Sequence, residues 1–153
     1  MEIFQIDRDG KLFISPDIDD WMPIFERNIT AIFDLDGGID LGIPTVPNQM
    51  LYIYFQFDDR QELPDLQKLH QTAKFGANLI ENGYKVLSHC AMGYNRSALL
   101  AGVILTYLGM TGAEAVTLLR QKRQGALFNP VFASYLQTLP SAKQMPKALA
   151  LAC

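Results

Sequence analysis

Apolar residues fall into two kinds of run along this chain of 153 residues. Short runs rich in β-branched and aromatic residues, at 11–14, 30–35, 50–57 and 84–88, predict strands. The run 30–35 is largely apolar, as a parallel strand covered on both faces should be, whereas 50–57 alternates aromatic and β-branched residues. Longer segments repeat at helical spacing. Residues 64–81 place Leu66, Leu69, Ala73, Leu79 and Ile80 along one face, and Asn82-Gly83 supplies a stop. Ser15-Pro16-Asp17 provides a cap and a proline ahead of a helix at 19–27, and further helices are expected at 97–108, 112–124 and 130–138. Residues 36–48, with three glycines and two prolines, read as a loop. The alternation predicts an α/β fold, a central, mostly parallel sheet of about four to five strands flanked by helices. Residues 1–140 make one domain and 141–153 a C-terminal tail. Trp21 and Phe25 are expected in the core, and His70 on the surface of the crossover helix.

Composition narrows the function. Apolar residues make up 49 % and charged residues 19 %, with a net charge of −3. That describes a globular domain with no general attraction for nucleic acid. The two cysteines, Cys90 and Cys153, form no disulfide framework, which points to a reducing, cytoplasmic setting. The N-terminal residues lack the basic and apolar regions of a signal peptide, and the apolar stretch 98–110 is too short to span a bilayer. Nothing in the pattern bears on oligomeric state.

The chemistry concentrates in His89-Cys90-Ala91-Met92-Gly93-Tyr94-Asn95-Arg96-Ser97, between a predicted strand and a predicted helix. Ligands of open α/β sheets bind at the carboxyl ends of strands. A loop there can turn the N–H groups of Ala91, Met92, Gly93, Tyr94 and Asn95 toward one anion, helped by the N-terminus of the helix that follows. Gly93 permits the backbone conformation such a loop needs. Arg96 offers a planar fork for two phosphate oxygens, and the positive surroundings favour a Cys90 thiolate. Ser97 can hydrogen-bond that sulfur, and His89 orients the loop through the backbone. A thiolate attacking phosphorus needs an acid for the leaving oxygen, and the turn after the strand at 50–57 offers two, Asp58 and Asp59. Read blandly, Asp58-Asp59 is a solvated turn, Asn129 only caps the helix starting at Pro130, and Arg120, Lys122 and Arg123 answer a helix dipole. The two histidines, His70 and His89, have no metal-ligand spacing, and no cofactor is called for.

His-Cys, five residues, Arg-Ser resembles the cysteine-dependent protein tyrosine phosphatase superfamily, and the chain is most similar to its small atypical dual-specificity members. Phe55-Gln56-Phe57-Asp58-Asp59 resembles the general-acid loop, which selects Asp59, 31 residues before Cys90. Residues 125–132 resemble the late motif whose asparagine braces the phosphate loop, which implies that role for Asn129. The position of Arg123 carries, in many relatives, an arginine that reaches phosphorylated substrate. The resemblance implies metal-independent hydrolysis of phosphate monoesters on phosphotyrosine or phosphoserine/phosphothreonine proteins through a phosphocysteine intermediate. Two other readings stand beside it, a lipid or inositol phosphate phosphatase and a non-catalytic phosphate-binding module. The uncharged loop residues Ala91, Met92, Tyr94 and Asn95 weigh against a substrate with several phosphates.

Overall fold

The structure is a computed structural model that describes residues 1–144. Five strands form one sheet: β1 (Phe4–Gln5), β2 (Leu12–Ser15), β3 (Ala31–Asp34), β4 (Leu51–Tyr54) and β5 (Val86–His89). Their order is β1-β2-β5-β3-β4; β1 runs antiparallel to β2 and the other pairings are parallel. β5 therefore lies in the middle, with His89 level with Ser15 on one side and Asp34 on the other.

The helices are α1 (Met22–Glu26), α2 (Leu66–Glu81), α3 (Arg96–Tyr107), α4 (Gly112–Lys122) and α5 (Pro130–Thr138), with a 3₁₀ turn at Ala142–Gln144. Strand alternation sorts the core into two layers. Leu12, Ile14, Ala31, Phe33 and Val86 pack toward α2, α3, α4 and α5. Phe13, Ile32 and Leu87 face the other way, onto Ile18, Ile24 and Ile29 around α1. Every residue of β2, β3 and β5 is buried, apolar at the start of each strand and polar at its carboxyl end, where Ser15, Asp34, Ser88 and His89 lie. α3 is the central helix: it packs on both α2 and α4, and the residues from Ser97 to Thr106 are all buried. Close approach is possible because Gly102 lets the Leu136 side chain of α5 in; a Cβ there would stand 2.6 Å from it.

Several expected boundaries move, each for a local reason. β1 has only two residues, too few to produce an alternating pattern. β4 stops at Tyr54, short of Phe57, because its ladder partner β3 ends at Asp34. α2 starts at Leu66, where the Asp65 carboxylate accepts the Lys68 N–H at 3.0 Å. α1 starts at Met22, with Pro23 in its first turn, and Ser15 ends β2 rather than capping a helix. Phe25 is exposed rather than in the core, while Trp21 is half-buried at the edge of the layer around α1, its Nε1 donating to the Leu41 carbonyl. His70 is buried, not on the surface: its ring stands edge-on to Tyr107 and Tyr135, and both ring nitrogens meet their hydroxyls. No helix among the described residues is long and apolar enough to cross a membrane. Cys153 and residues 145–153 of the expected tail lie outside the described residues.

Candidate active site

β5 delivers the chain to Cys90 at the carboxyl end of the sheet, and α3 takes it away from Arg96. Between them the carbonyls of the loop are all taken, four by residues elsewhere in the chain and the last by the opening bond of α3. The Ala91 oxygen accepts from the Asp17 N–H, Met92 and Gly93 from the Arg123 guanidinium, Tyr94 from the Leu127 N–H, and Asn95 from the Leu99 N–H. Among the described residues no backbone carbonyl takes the N–H of Ala91, Met92, Gly93, Tyr94 or Asn95. Outward carbonyls leave a concave row of donors, the arrangement that binds an anion. Gly93 is needed twice over. Its φ is +71°, and a Cβ would lie 2.8 Å from the Pro16 nitrogen and 2.9 Å from the Ser15 carbonyl carbon.

Cys90 is 2 % exposed, and its thiol donates to Ser97 Oγ at 3.4 Å. Ser97 is itself fixed from behind, since Ser88 Oγ donates to its carbonyl at 3.0 Å. Arg96 lies along the rim. One Nη donates to the carbonyls of Leu35 (3.3 Å) and Phe57 (3.2 Å) and pairs with Asp36 at 3.1 Å. Its Nε is buried without a partner, a donor that a phosphate oxygen would satisfy. Burial alone would raise the Asp36 carboxyl, but the Gly37 N–H, the Asp17 carboxyl and Arg96 outweigh it and hold it below the usual range. Asp17 moves the opposite way, raised by burial, by its hydrogen bond to Asp36 and by that neighbour's charge.

The two candidate acids part company. Asp58 points to solvent, paired with Arg60 at 3.2 Å and hydrogen-bonded by Gln56. Asp59 is tied to the loop: Asn95 Nδ2 donates to one oxygen at 2.9 Å and Asn129 Nδ2 to the other at 2.7 Å. Asn129 also gives its N–H to Asn95 Oδ1 at 2.9 Å, while its own Oδ1 caps α5 by accepting from Val131 and Phe132. Bracing and capping thus coexist in one side chain. The Asn95 side chain is buried in these bonds, so only its backbone is available to a bound anion. It makes no cap for α3, whose first N–H groups are left to the loop.

Two side chains have partners that the sequence did not name. Arg123 lies back against the phosphate loop. Its guanidinium stacks on Tyr94 (3.8 Å) and Phe4 (4.4 Å) and spends its donors on the Met92 and Gly93 carbonyls. His89, beside its backbone bond to Leu35, has side-chain partners. Its Nε2 lies 2.7 Å from Asp40 Oδ2 and 3.5 Å from Asp34 Oδ1, and Tyr52 donates a short hydrogen bond to Asp34. Burial is the main influence raising Asp34 and, with the Asp34 hydrogen bond, keeps Tyr52 a neutral phenol. Asp34, Asp40 and His89 bring ligand-type atoms within 4.8 Å of one another, a spacing that suits a cation, yet Asp40 and His89 already bond each other and Asp34 accepts from Tyr52. Asp17, Asp34, Asp36, Asp40 and Tyr52 were all missed as site residues. One signal was available: an aspartate inside the apolar run 30–35 needs a buried partner.

The comparisons with known proteins come in three forms. The sequence model described as "Dual specificity phosphatase, catalytic domain" matches residues 22–141. Dual specificity protein phosphatase 1B of Arabidopsis thaliana is 31 % identical over 105 residues, which cover 66 % of this chain and 61 % of the plant protein. A probable rhodanese domain-containing dual specificity protein phosphatase of Dictyostelium discoideum is 32 % identical over 113 residues, 71 % of this chain and 22 % of that protein. The chain therefore spans less than two thirds of either relative. The crystal structure of human DUSP28 superposes with a TM-score of 0.78 at 20 % identity, covering 94 % of this chain and 95 % of that one.

Proposed function

Because the chain belongs to the dual specificity phosphatase catalytic-domain family, we propose that it hydrolyses phosphate monoesters on phosphorylated proteins by way of a phosphocysteine. The observation that carries this reading is the phosphate loop itself, with four carbonyls turned outward and claimed while the N–H groups of residues 91–95 remain for an anion.

In the first step the Cys90 thiolate attacks phosphorus and the phosphorus–oxygen bond to the leaving group breaks. Asp59 gives its proton to that departing oxygen. In the second, Asp59, now a carboxylate, takes a proton from water. The water oxygen bonds to phosphorus, and the sulfur–phosphorus bond breaks. Ser97 then hydrogen-bonds the returning thiolate. Arg96 and the loop N–H groups face the equatorial oxygens, where charge builds in both steps. Asp59 is preferred to Asp58 because two amides hold it against the loop while Asp58 faces Arg60 and solvent. A thiolate nucleophile needs a reducing environment, which fits a cytoplasmic setting. A protein substrate is favoured over a phosphoinositide because Arg123 is committed to the loop and the uncharged loop side chains supply no second cation.

The test is turnover of p-nitrophenyl phosphate without added metal, inhibited by vanadate. Cys90→Ser should abolish it. Purified native protein with no turnover rejects the enzyme reading. A Cys90→Ser pull-down that captures phosphoinositides in preference to phosphoproteins rejects the substrate class.

A further inference from the structure

The loop between β3 and β4 turns the usual sorting of residues inside out. Ile39 is 63 % exposed and Leu41 90 %, while the side chain of Asp40 between them is only 10 % exposed. Leaving two aliphatics in water and burying the acid costs free energy unless the acid meets strong partners. It does. Asp40 Oδ2 faces His89 Nε2 at 2.7 Å and lies 2.9 Å from the Tyr52 hydroxyl, whose one proton goes to Asp34, and the Asp40 N–H donates to that hydroxyl at 3.0 Å. The chemistry of the contacts assigns the ring's proton. Nε2 meets only the carboxyl oxygens of Asp40 and Asp34, and an Asp40 oxygen that accepts at 2.7 Å requires the ring proton to sit on Nε2. Nδ1 is buried without a partner, so nothing on the other side of the ring competes for its orientation.

We infer that Asp40 is a positioning residue: it fixes His89 as an Nε2-protonated ring and thereby sets the geometry of the residue from which Cys90 is hung. His89 closes β5, its carbonyl accepts the Leu35 N–H at 3.0 Å, and the next residue is the nucleophile. A rotation of this ring is transmitted to the start of the phosphate loop with no flexible segment between. The acid comes from a loop rather than from the sheet, so the loop's conformation and the nucleophile's are coupled. Fixing a histidine tautomer through a buried carboxylate is an established way of holding a catalytic group ready. The activity arm of this proposal rests on the phosphatase reading; the ring arm does not.

The chain has two histidines, so ¹⁵N-histidine labelling gives two ring systems, with His70 as the internal reference. Two-bond proton–nitrogen correlations should show native His89 protonated at Nε2. Asp40→Ala should mix its tautomers and lower kcat on p-nitrophenyl phosphate about tenfold, with KM within about twofold. Asp40→Asn, close in shape, serves if the alanine variant fails to fold; it presents a donor as well as an acceptor to the ring and should also lower kcat. A native His89 protonated only at Nδ1 overturns the proposal, as does a folded Asp40 variant with unchanged kcat. If the native protein shows no turnover, the phosphatase reading falls, and the nitrogen resonances still decide whether Asp40 holds the ring.

Discussion

Asn129 donates from Nδ2 to Asp59 Oδ1 at 2.7 Å and from the same nitrogen to the Arg60 carbonyl at 2.8 Å. One amide thus fixes both the carboxylate and the backbone just after it, joining the general-acid turn to the start of α5. The proposed acid is held in place from outside its own loop.

Asn129→Ala should therefore cost more where the leaving group needs a proton than where it does not. Turnover of an alkyl phosphate should fall by about tenfold or more, within the roughly 10²–10⁴-fold range of general-acid catalysis, while p-nitrophenyl phosphate loses much less. Equal losses on both substrates would place Asn129 in folding rather than in acid positioning. The comparison needs only steady-state kinetics on two substrates.

Arg123 makes a sharper case because its side chain already has partners. Its guanidinium is stacked on Phe4 and Tyr94 and bonded to two loop carbonyls, contacts it would have to give up to reach a second phosphate. Arg123→Lys keeps the charge and loses the planar fork. Efficiency on singly and doubly phosphorylated peptides should drop by the same factor, a few-fold. A selective loss on the doubly phosphorylated peptide would mean that the side chain swings out to substrate.

Gly93→Ala would force a Cβ against the Ser15–Pro16 backbone at a φ of +71°. Each such strained position costs about 1–3 kcal/mol. Denaturant unfolding should show that loss. Vanadate affinity should collapse further than stability does, since any relief of the clash displaces the N–H groups around the anion.

His70 gives a pH dependence with a definite sign. Burial, and then the Lys74 charge, hold it below its ordinary value of 6.5. The unfolded chain takes up a proton near that pH and the folded one does not, so stability declines as pH falls below about 6.5 and levels off beneath the folded value. Above 6.5 the group contributes no slope. His70→Gln, which keeps a donor and an acceptor for Tyr107 and Tyr135, should flatten the change in unfolding free energy between about pH 7 and 5.5. An unchanged slope would assign the acid sensitivity elsewhere.

Much of this was legible from residues alone, and the division follows interaction range. The strand at 30–35, the crossover helix and the run from Cys90 to Ser97 announce themselves because periodicity, caps and the loop motif are local. β5 and α3 appeared within two residues of their expected bounds for that reason. His70 was misplaced because its partners lie 37 and 65 residues away and a lone polar residue in a helix says nothing of them. The Asp40–His89 contact, 49 residues apart, depends on how an irregular loop folds back, which no periodicity encodes. Choosing Asp59 over Asp58 needed the family motif, since two adjacent carboxylates on a turn differ only in which one turns inward.

α3 carries one more consequence. The residues from Ser97 to Thr106 are buried without a break, and β5, on the other flank of the phosphate loop, is buried throughout. Segments of that kind exchange their amide hydrogens only when the whole domain opens. The loop is spliced between two fully buried pieces of the chain, which tie its two ends to the core. Heat inactivation and global unfolding should then share a single midpoint, which makes enzymatic activity a direct count of folded molecules for any core variant of this protein.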